Sequence, residues 1–352
     1  SANSSMSVRT GRECFRALTT PEAVTLVSGA DKVRASVPAG SKATADMVQT
    51  DEAFWSVFSF RFLSGAGFTR ADCDAGLPRA VLSATIARQL FGTTDVVGHT
   101  VQLNYIDYTV AGVVADVSML ATAAYAQIWV PYTAADAESL SWQDDTMGPM
   151  HAVILAHSSA DFDAIRKETE LLRQKYNDGL RDVEIFYRGQ PDTQLAYLYR
   201  RWYAEPDVPG VMLRYGIVIA ILLLVPAVNL SGMTLSRMRR RMAEIGVRKA
   251  FGATGSELMR QVFFENFVLT LLAGVVGLAL SYAATFLLND FLFGNSMNAY
   301  LSGETALTPG MLLSPWAFIA AFAFCLLMNV LSAGIPAWRA SRMNITDAIN
   351  QR

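Results

Sequence analysis

Residues 238 to 261 read MRRRMAEIGVRKAFGATGSELMRQ. Arg239, Arg240, Arg241, Arg248, Lys249 and Arg260 supply cations here, and Glu244 and Glu257 supply carboxylates. Such a cluster can neutralise the phosphates of lipid headgroups, or it can dock a protein partner. Met238, Met242 and Ile245 recur at helical spacing as an apolar strip, with Arg241, Glu244 and Arg248 on an adjacent strip. Glu244 precedes Arg248 by four residues, the favourable order for an intrahelical pair. Gly252 fits the position just past a helix end, where a left-handed backbone is needed. Thr254-Gly-Ser-Glu257 fits a capping box that opens the next helix. The segment therefore reads as a short amphipathic helix, a tight turn and a second helix. These residues alone leave headgroup contact and partner docking both open.

Elsewhere the reactive side chains are dispersed. His99, His151 and His157 lie apart, and the last two flank one expected strand, a poor arrangement for a shared metal. The chain contains no Gly-x-Ser-x-Gly and no Cys-x-x-Cys. It also contains no Gly-x-x-x-x-Gly-Lys-Ser/Thr, so it carries no such phosphate-cradling loop and cannot hydrolyse ATP alone. Of the three cysteines, Cys325 sits in an apolar run, and Cys14 and Cys73 could pair only outside the cytoplasm. Nothing in this set supports catalysis.

The elements that position the basic segment are membrane helices. The 352 residues are 52% apolar with a mean hydropathy of +0.27, and a net charge of −2 gives no global field for nucleic acid. The apolar excess lies in the last 140 or so residues. Tyr215–Leu235, Asn266–Asn289 and Met311–Trp338 are uncharged, and each is long enough to cross a hydrocarbon core. Helices are expected at about 212–236, 262–289 and 311–337, with the amphipathic helix at about 238–251. Cations crowd the first connection and return at Arg339, Arg342 and Arg352, whereas 290–310 has no Lys or Arg. By the positive-inside rule the basic loop and the tail 339–352 are cytoplasmic, and residues 1–210 are outside. A folded outer domain needs a signal or an upstream span to cross, and residues 1–20 are neither, so a fourth helix is expected before residue 1. Glu265 is the one charge at the spans. Ala273, Gly274, Gly277 and Ser281 place small residues on one face of the second span, for packing within the chain or across a dimer. Pro226 with Asn229 is expected to loosen the first span.

Residues 1–210 read as a mixed α/β domain. A strand end at Ala80–Leu82 leads to a Ser83 cap and a helix stopped by Gly92. A hairpin is expected around a turn near Asp107, and short strands at QIWVP and MHAVILAH. An amphipathic helix with Phe162, Ile165, Leu172 and Tyr176 near one stripe follows, then a strand at DVEIFYRG. His151–Arg188 thus reads β-α-β, and 49–147 reads as an inserted subdomain.

The stretch EIGVRKAFGATGSELMRQVFFENF, Glu244 to Phe267, resembles the signature of the MacB/FtsX family of ABC-transporter permeases. Glu244, Ile245, Gly246, Val247, Arg248, Lys249, Ala250, Gly252 and Ala253 fit it, and Glu265 fits its later acidic position. The ending IPAWRASRMNITDAIN is similar to the family's C-terminus. VLSATIARQLFG, YTVAGVVAD and IWVP are similar to the periplasmic core domain of the MacB-like branch.

The resemblance implies a multi-pass inner-membrane permease with a periplasmic core domain at 1–210 and an FtsX-like membrane domain at 211–338. It implies a dimer with a second copy or paralogue, and a separate cytoplasmic ATPase subunit that carries ATP and Mg. No cofactor is expected on this chain. Arg241, Glu244, Ile245, Gly246, Arg248, Lys249, Phe251, Gly252 and Ala253 would then couple to the ATPase. Lipid surrounds the spans, and a periplasmic or outer-membrane partner is open, as is the cargo: small molecules, peptides, lipoproteins, or only activation of a periplasmic hydrolase. Two other classes compete. A ligand sensor would need an output domain, for which the tail from Arg339 is too short. A membrane enzyme would need convergent polar groups, and only Glu265, Asn229 and Asn329 offer themselves.

Overall fold

The computed structural model of the chain describes residues 5–38, 40–119, 121–135, 137, 139–200, 204–287, 316 and 318–328. It divides into an outer unit, Ser1–Pro206 with Asp290–Ala306, and a helical unit, Asp207–Asn289 with Leu307–Arg352. The boundary falls a few residues before the expected 210.

The outer unit contains two sheets. The larger has seven strands: β2 (Asp31–Ser36), β3 (Lys42–Thr50), β4 (Phe62–Gly65), β5 (Arg79–Ser83), β6 (Thr100–Leu103), β7 (Ile106–Val114) and β8 (Ile128–Pro131). Their order is β4-β7-β5-β8-β3-β2-β6, and β6 also pairs with β7, so the sheet closes on itself. The long strand β7 makes this closure. Its first half pairs with β6 and its second half with β4. The sheet is mixed, with β3–β8 and β5–β7 parallel. The smaller sheet is β1 (Ala23–Ser28) paired antiparallel with β9 (Met150–Leu155).

Two short helices, α2 (Phe54–Val57) and α3 (Arg70–Asp74), precede the helix that local sequence explains best. The Ser83 side chain accepts a hydrogen bond from the Ile86 backbone N–H, α4 runs Ala84–Phe91, and Gly92 ends it at φ +77°. Ile86, Ala87 and Leu90 recur at helical spacing and are buried against Val33, Ala35, Val101 and Val110 of the sheet. A second core is aromatic. Trp55 lies with its ring centroid 5.2–6.3 Å from those of Phe60, Phe62, Phe68 and Trp129, mostly edge to face. A third core joins the smaller sheet to the π-helical turn Arg12–Arg16, which continues α1 (Val8–Gly11), and to α5 (Phe162–Asp178). A fourth gathers Val8 of α1 with Leu26, Tyr132, Ala137 and Met150.

Several expectations are corrected here. The hairpin turn is Asn104-Tyr105, not Asp107, which instead pairs with Gln102. Both turn residues have positive φ, at +46° and +73°, the geometry that lets a two-residue turn follow the twist of its strands. The stripe of α5 uses Ile165, Thr169, Leu172 and Tyr176, while Phe162 is 37% exposed. Thr169 tolerates burial because its hydroxyl donates to the Ile165 carbonyl at 2.8 Å. DVEIFYRG is not a strand, so the unit is not β-α-β. Its backbone is satisfied by side chains instead: Asn177 accepts from Ile185 N–H and donates to Ile185 C=O, both at 3.0 Å. The larger sheet begins at Asp31, not at residue 49, and does not separate as a unit of its own. Cys14 and Cys73 are free and buried in different cores, so they do not pair.

In the helical unit, α7 runs unbroken from Val208 to Ala250, and α8 from Gly255 to Leu287. The expected break between the first span and the amphipathic helix is absent. No glycine or proline lies between Leu235 and Arg248 except Gly246, and a single internal glycine costs a helix only about 1 kcal/mol. Two stretches are long and apolar enough to cross a membrane, Val208–Val225 and Phe263–Ala284. A shorter apolar helix, α9, is described at Phe318–Met328, and the rest of the expected third span lies outside the described residues.

Candidate functional site

The basic segment is built on the end of α7. Residues 241, 244 and 248 fall on one helical face by their spacing on continuous helix. The side chains of Arg241, Glu244, Ile245 and Lys249 lie outside the described residues, as does the surrounding of Gly246. Beyond them the geometry is explicit. Phe251 N–H donates to the Val247 carbonyl and Ala253 N–H to the Arg248 carbonyl, both at 3.1 Å. The second bond spans six residues and closes the helix in a Schellman-type cap, which requires a left-handed residue between. Gly252 is that residue, at φ +94°. A Cβ built on it would meet nothing within 4 Å, so backbone conformation alone selects glycine.

The turn is closed from its far side by the capping box. Thr254 N–H and hydroxyl donate to Glu257 Oε2 at 3.0 and 2.9 Å, and Glu257 N–H donates to Thr254 Oγ1 at 3.3 Å. The Thr254 N–H holds the Glu257 carboxyl below its ordinary value, helped by the hydroxyl. Arg248 Nη1 donates to Gln261 Oε1 at 2.9 Å, tying α7 to α8 across the turn. Phe251 is left 89% exposed at the apex. The corner thus presents a large aromatic ring, with Val247 and Arg248 exposed on the last turn of the helix before it.

The small face of α8 divides. A Cβ on Gly274 would lie 3.3 Å from Cδ2 of Phe322, so α9 packs there within the chain. Ala273, Gly277 and Ser281 are exposed. Glu265 is half-buried.

The outer unit has a polar cleft of about 630 Å³ that the sequence did not announce. Arg12, Arg16, Glu52, Arg70, Asp74 and Tyr132 line it. The Arg12 guanidinium lies 5.3 Å from the Tyr132 ring centroid, and Arg16 Nη2 donates to Glu52 Oε1 at 2.7 Å. Beneath lies Asp51, 1% exposed. It accepts from Thr25 Oγ1 at 2.8 Å, Leu26 N–H at 3.0 Å and Ala53 N–H at 3.1 Å, with Arg16 Nη1 at 3.7 Å. Burial raises its pKa although Arg16 and these donors oppose the shift. The polar seam fastens β1 to the end of β3. Its members are far apart in sequence, so no local signal could have found it. Burial also pushes the Cys73 thiol at the cleft wall up to about 12, which keeps it protonated and unreactive. The histidines are separate: His151 bonds Ser5, His99 packs on Phe91, and His157 lies 3.8 Å from Glu22. No group of three potential metal ligands occurs among the described residues.

Comparison with known proteins agrees with this division. Residues 2–172 match the model of the MacB-like periplasmic core domain, and residues 216–345 match that of the FtsX-like permease C-terminal region. The chain belongs to the MacB/FtsX family of ABC-transporter permeases. It is 24% identical over 298 residues to the pyoverdine export ATP-binding/permease protein PvdT of Pseudomonas aeruginosa, covering 84% of this chain and 41% of that protein. It is 25% identical over 312 residues to the macrolide export ATP-binding/permease protein MacB of Escherichia coli K12, covering 87% and 43%. The chain thus spans less than half the length of these relatives. Among solved structures, the periplasmic region of MacB from Actinobacillus actinomycetemcomitans aligns at TM-score 0.40 with 18% identity, over 50% of this chain and 76% of that one.

Proposed function

We propose that this chain is the permease subunit of an ABC machine of the bacterial inner membrane, with a periplasmic outer unit and a cytoplasmic Gly252 corner. A separate ATPase subunit binds ATP and Mg, and the corner docks on it. The observation that carries this reading is the unbroken α7. At 43 residues it is about 65 Å long, roughly twice the hydrocarbon thickness. The basic docking face and the first span are therefore one rod. Pro226 removes one backbone hydrogen bond from the ladder, yet the helix runs on through it. Movement imposed on the Arg241–Arg248 face is carried toward Val208 along one element, and closure of an ATPase pair is delivered to the periplasmic side as motion. The chain supplies the lever and the partner supplies the chemistry.

A dimer supplies two such levers, and the exposed Ala273, Gly277 and Ser281 offer a surface for close helix approach. The names of the relatives point to export as the outcome, with the substrate set by the outer unit. The test is co-purification of the protein from its native membrane in mild detergent. A cytoplasmic ATPase is expected to accompany it and to be lost in the double charge reversal Glu244→Arg, Arg248→Glu. Retention of the ATPase in that variant, or its absence from the wild-type protein, would sink the docking assignment.

A further inference from the structure

We infer that the segment Asp192–Arg200 of the outer unit rests on the outer leaflet of the bilayer, with Leu195, Tyr197 and Leu198 seated at headgroup level. The inference rests on the reading that the helix beginning at Val208 crosses the membrane. Its starting point is a helix whose burial is inverted. In α6 (Gln194–Tyr199) the small Ala196 is buried, while Leu195, Tyr197 and Leu198 are 43%, 55% and 64% exposed. A helix on a water-facing surface turns its large apolar side chains inward.

The patch is held in place. The Thr193 hydroxyl accepts from Ala196 N–H at 3.2 Å and caps the helix. Arg200 closes the other end by a bidentate pair with Asp192, one of its bonds being 2.8 Å, and both side chains are less than a tenth exposed. Arg200 also donates to the Arg188 and Ala204 carbonyls, and Arg166 donates to the Pro191 carbonyl at 3.3 Å. A buried ion pair is thus used to hold three apolar side chains outward.

Chain length and composition name the occupant. Eight residues separate Tyr199 from Val208, where the first apolar stretch begins. Fully extended they reach about 30 Å, so the patch is tethered close to the bilayer. The sequence Tyr197-Leu-Tyr-Arg-Arg-Trp-Tyr203 interleaves aromatic rings with cations. With Arg200 held by Asp192, it is the aromatic content of this stretch together with Arg201 that suits the zone where acyl chains meet headgroups.

The test places a fluorescent thiol probe at Leu198→Cys in the full protein carrying Cys325→Ser, since Cys14 and Cys73 are buried. The protein is reconstituted in phosphatidylglycerol-containing vesicles with or without brominated acyl chains. Parallel probes sit at Val218→Cys, inside the first apolar stretch, and at Tyr105→Cys, on the exposed hairpin tip of the larger sheet. Brominated lipid is expected to quench the Leu198 probe roughly two-fold and to spare the Tyr105 probe, matching an interfacial depth of about 5–10 Å. A quenched Val218 probe beside an unquenched Leu198 probe overturns the proposal and leaves the spanning helix standing. Shielding of the Leu198 probe from both brominated lipid and aqueous iodide assigns the patch to a protein partner, and also overturns it. An unquenched Val218 probe removes the spanning reading, and the proposal with it.

Discussion

The two units place their apolar side chains on opposite sides. In the outer unit Trp129, Phe54, Leu82 and Ile86 are almost wholly buried. In the helical unit Ile217, Val218, Ile219, Ile221 and Leu222 are all more than half exposed. The outer unit is held by a closed sheet, four cores and polar bonds between distant residues. The helical unit is held by continuous backbone hydrogen bonding and one capped corner. Apolar surface is removed from water in both, by the protein's own core in one and by lipid in the other. One unit therefore derives its shape from long-range packing, and the other from local helix rules.

Variants can break or sharpen this contrast. The largest effect is expected from Gly252→Val, because a β-branched side chain strongly resists positive φ. Drive to the outer unit should fall at least tenfold while the partner's ATP hydrolysis persists. ATPase assays, paired with an outer-unit distance probe, check this; preserved drive would remove the corner from the mechanism. Next comes Trp129→Ala, which empties the centre of the aromatic core and should cost about 3–5 kcal/mol. Thermal unfolding of the whole protein should show the outer unit melting earlier while ATPase binding is unchanged, which separates the two units directly.

Asp51→Ala should follow at roughly 3 kcal/mol, since it strands the buried donors of Thr25 and Leu26 and leaves Arg16 without its deeper partner. Denaturant midpoints compared with Asp51→Asn would measure how much belongs to the charge. Glu168 offers a pH test. Partial burial would raise its pKa, but bonds from Thr20 and Thr19 outweigh this and hold it at about 2, against an ordinary 4.5. A carboxylate with a lowered folded pKa stabilises above its unfolded pKa. The contribution is then lost as pH falls from about 4.5 toward 2. Glu168→Gln should flatten that part of the outer unit's acid-unfolding curve; an unchanged curve would deny the bond to Thr19 and Thr20 any energetic role. The smallest effect is expected from Thr254→Ala, about 1 kcal/mol, from loss of one cap. Its reading is local fraying of α8 by hydrogen exchange, with the outer unit untouched.

What could be read from the residues follows the same line. Ser83 and Gly92 bound α4, Gly252 and Thr254 bound the corner, and uncharged runs mark the long helices, because each signal acts within a few residues of chain. The failures have a shared origin. The turn at Asn104-Tyr105 depends on which residues pair across β6 and β7, and a register choice is settled by burial on the far side of the sheet. DVEIFYRG has strand composition, yet Asn177 satisfies its backbone and no strand forms there. The unbroken α7 was missed because amphipathic and apolar segments look like different elements, although nothing between them stops a helix.

By itself the sequence determined the two described membrane-length helices and the left-handed corner between them, since helix length, φ preference and cap chemistry are properties of neighbouring residues. Only the tertiary structure decided the closure of the seven-stranded sheet, the Arg16–Asp51 seam beneath the cleft and the outward-turned face of α6. Each of these depends on groups brought together from distant parts of the chain, and the free energy that selects them comes from burial and pairing in three dimensions.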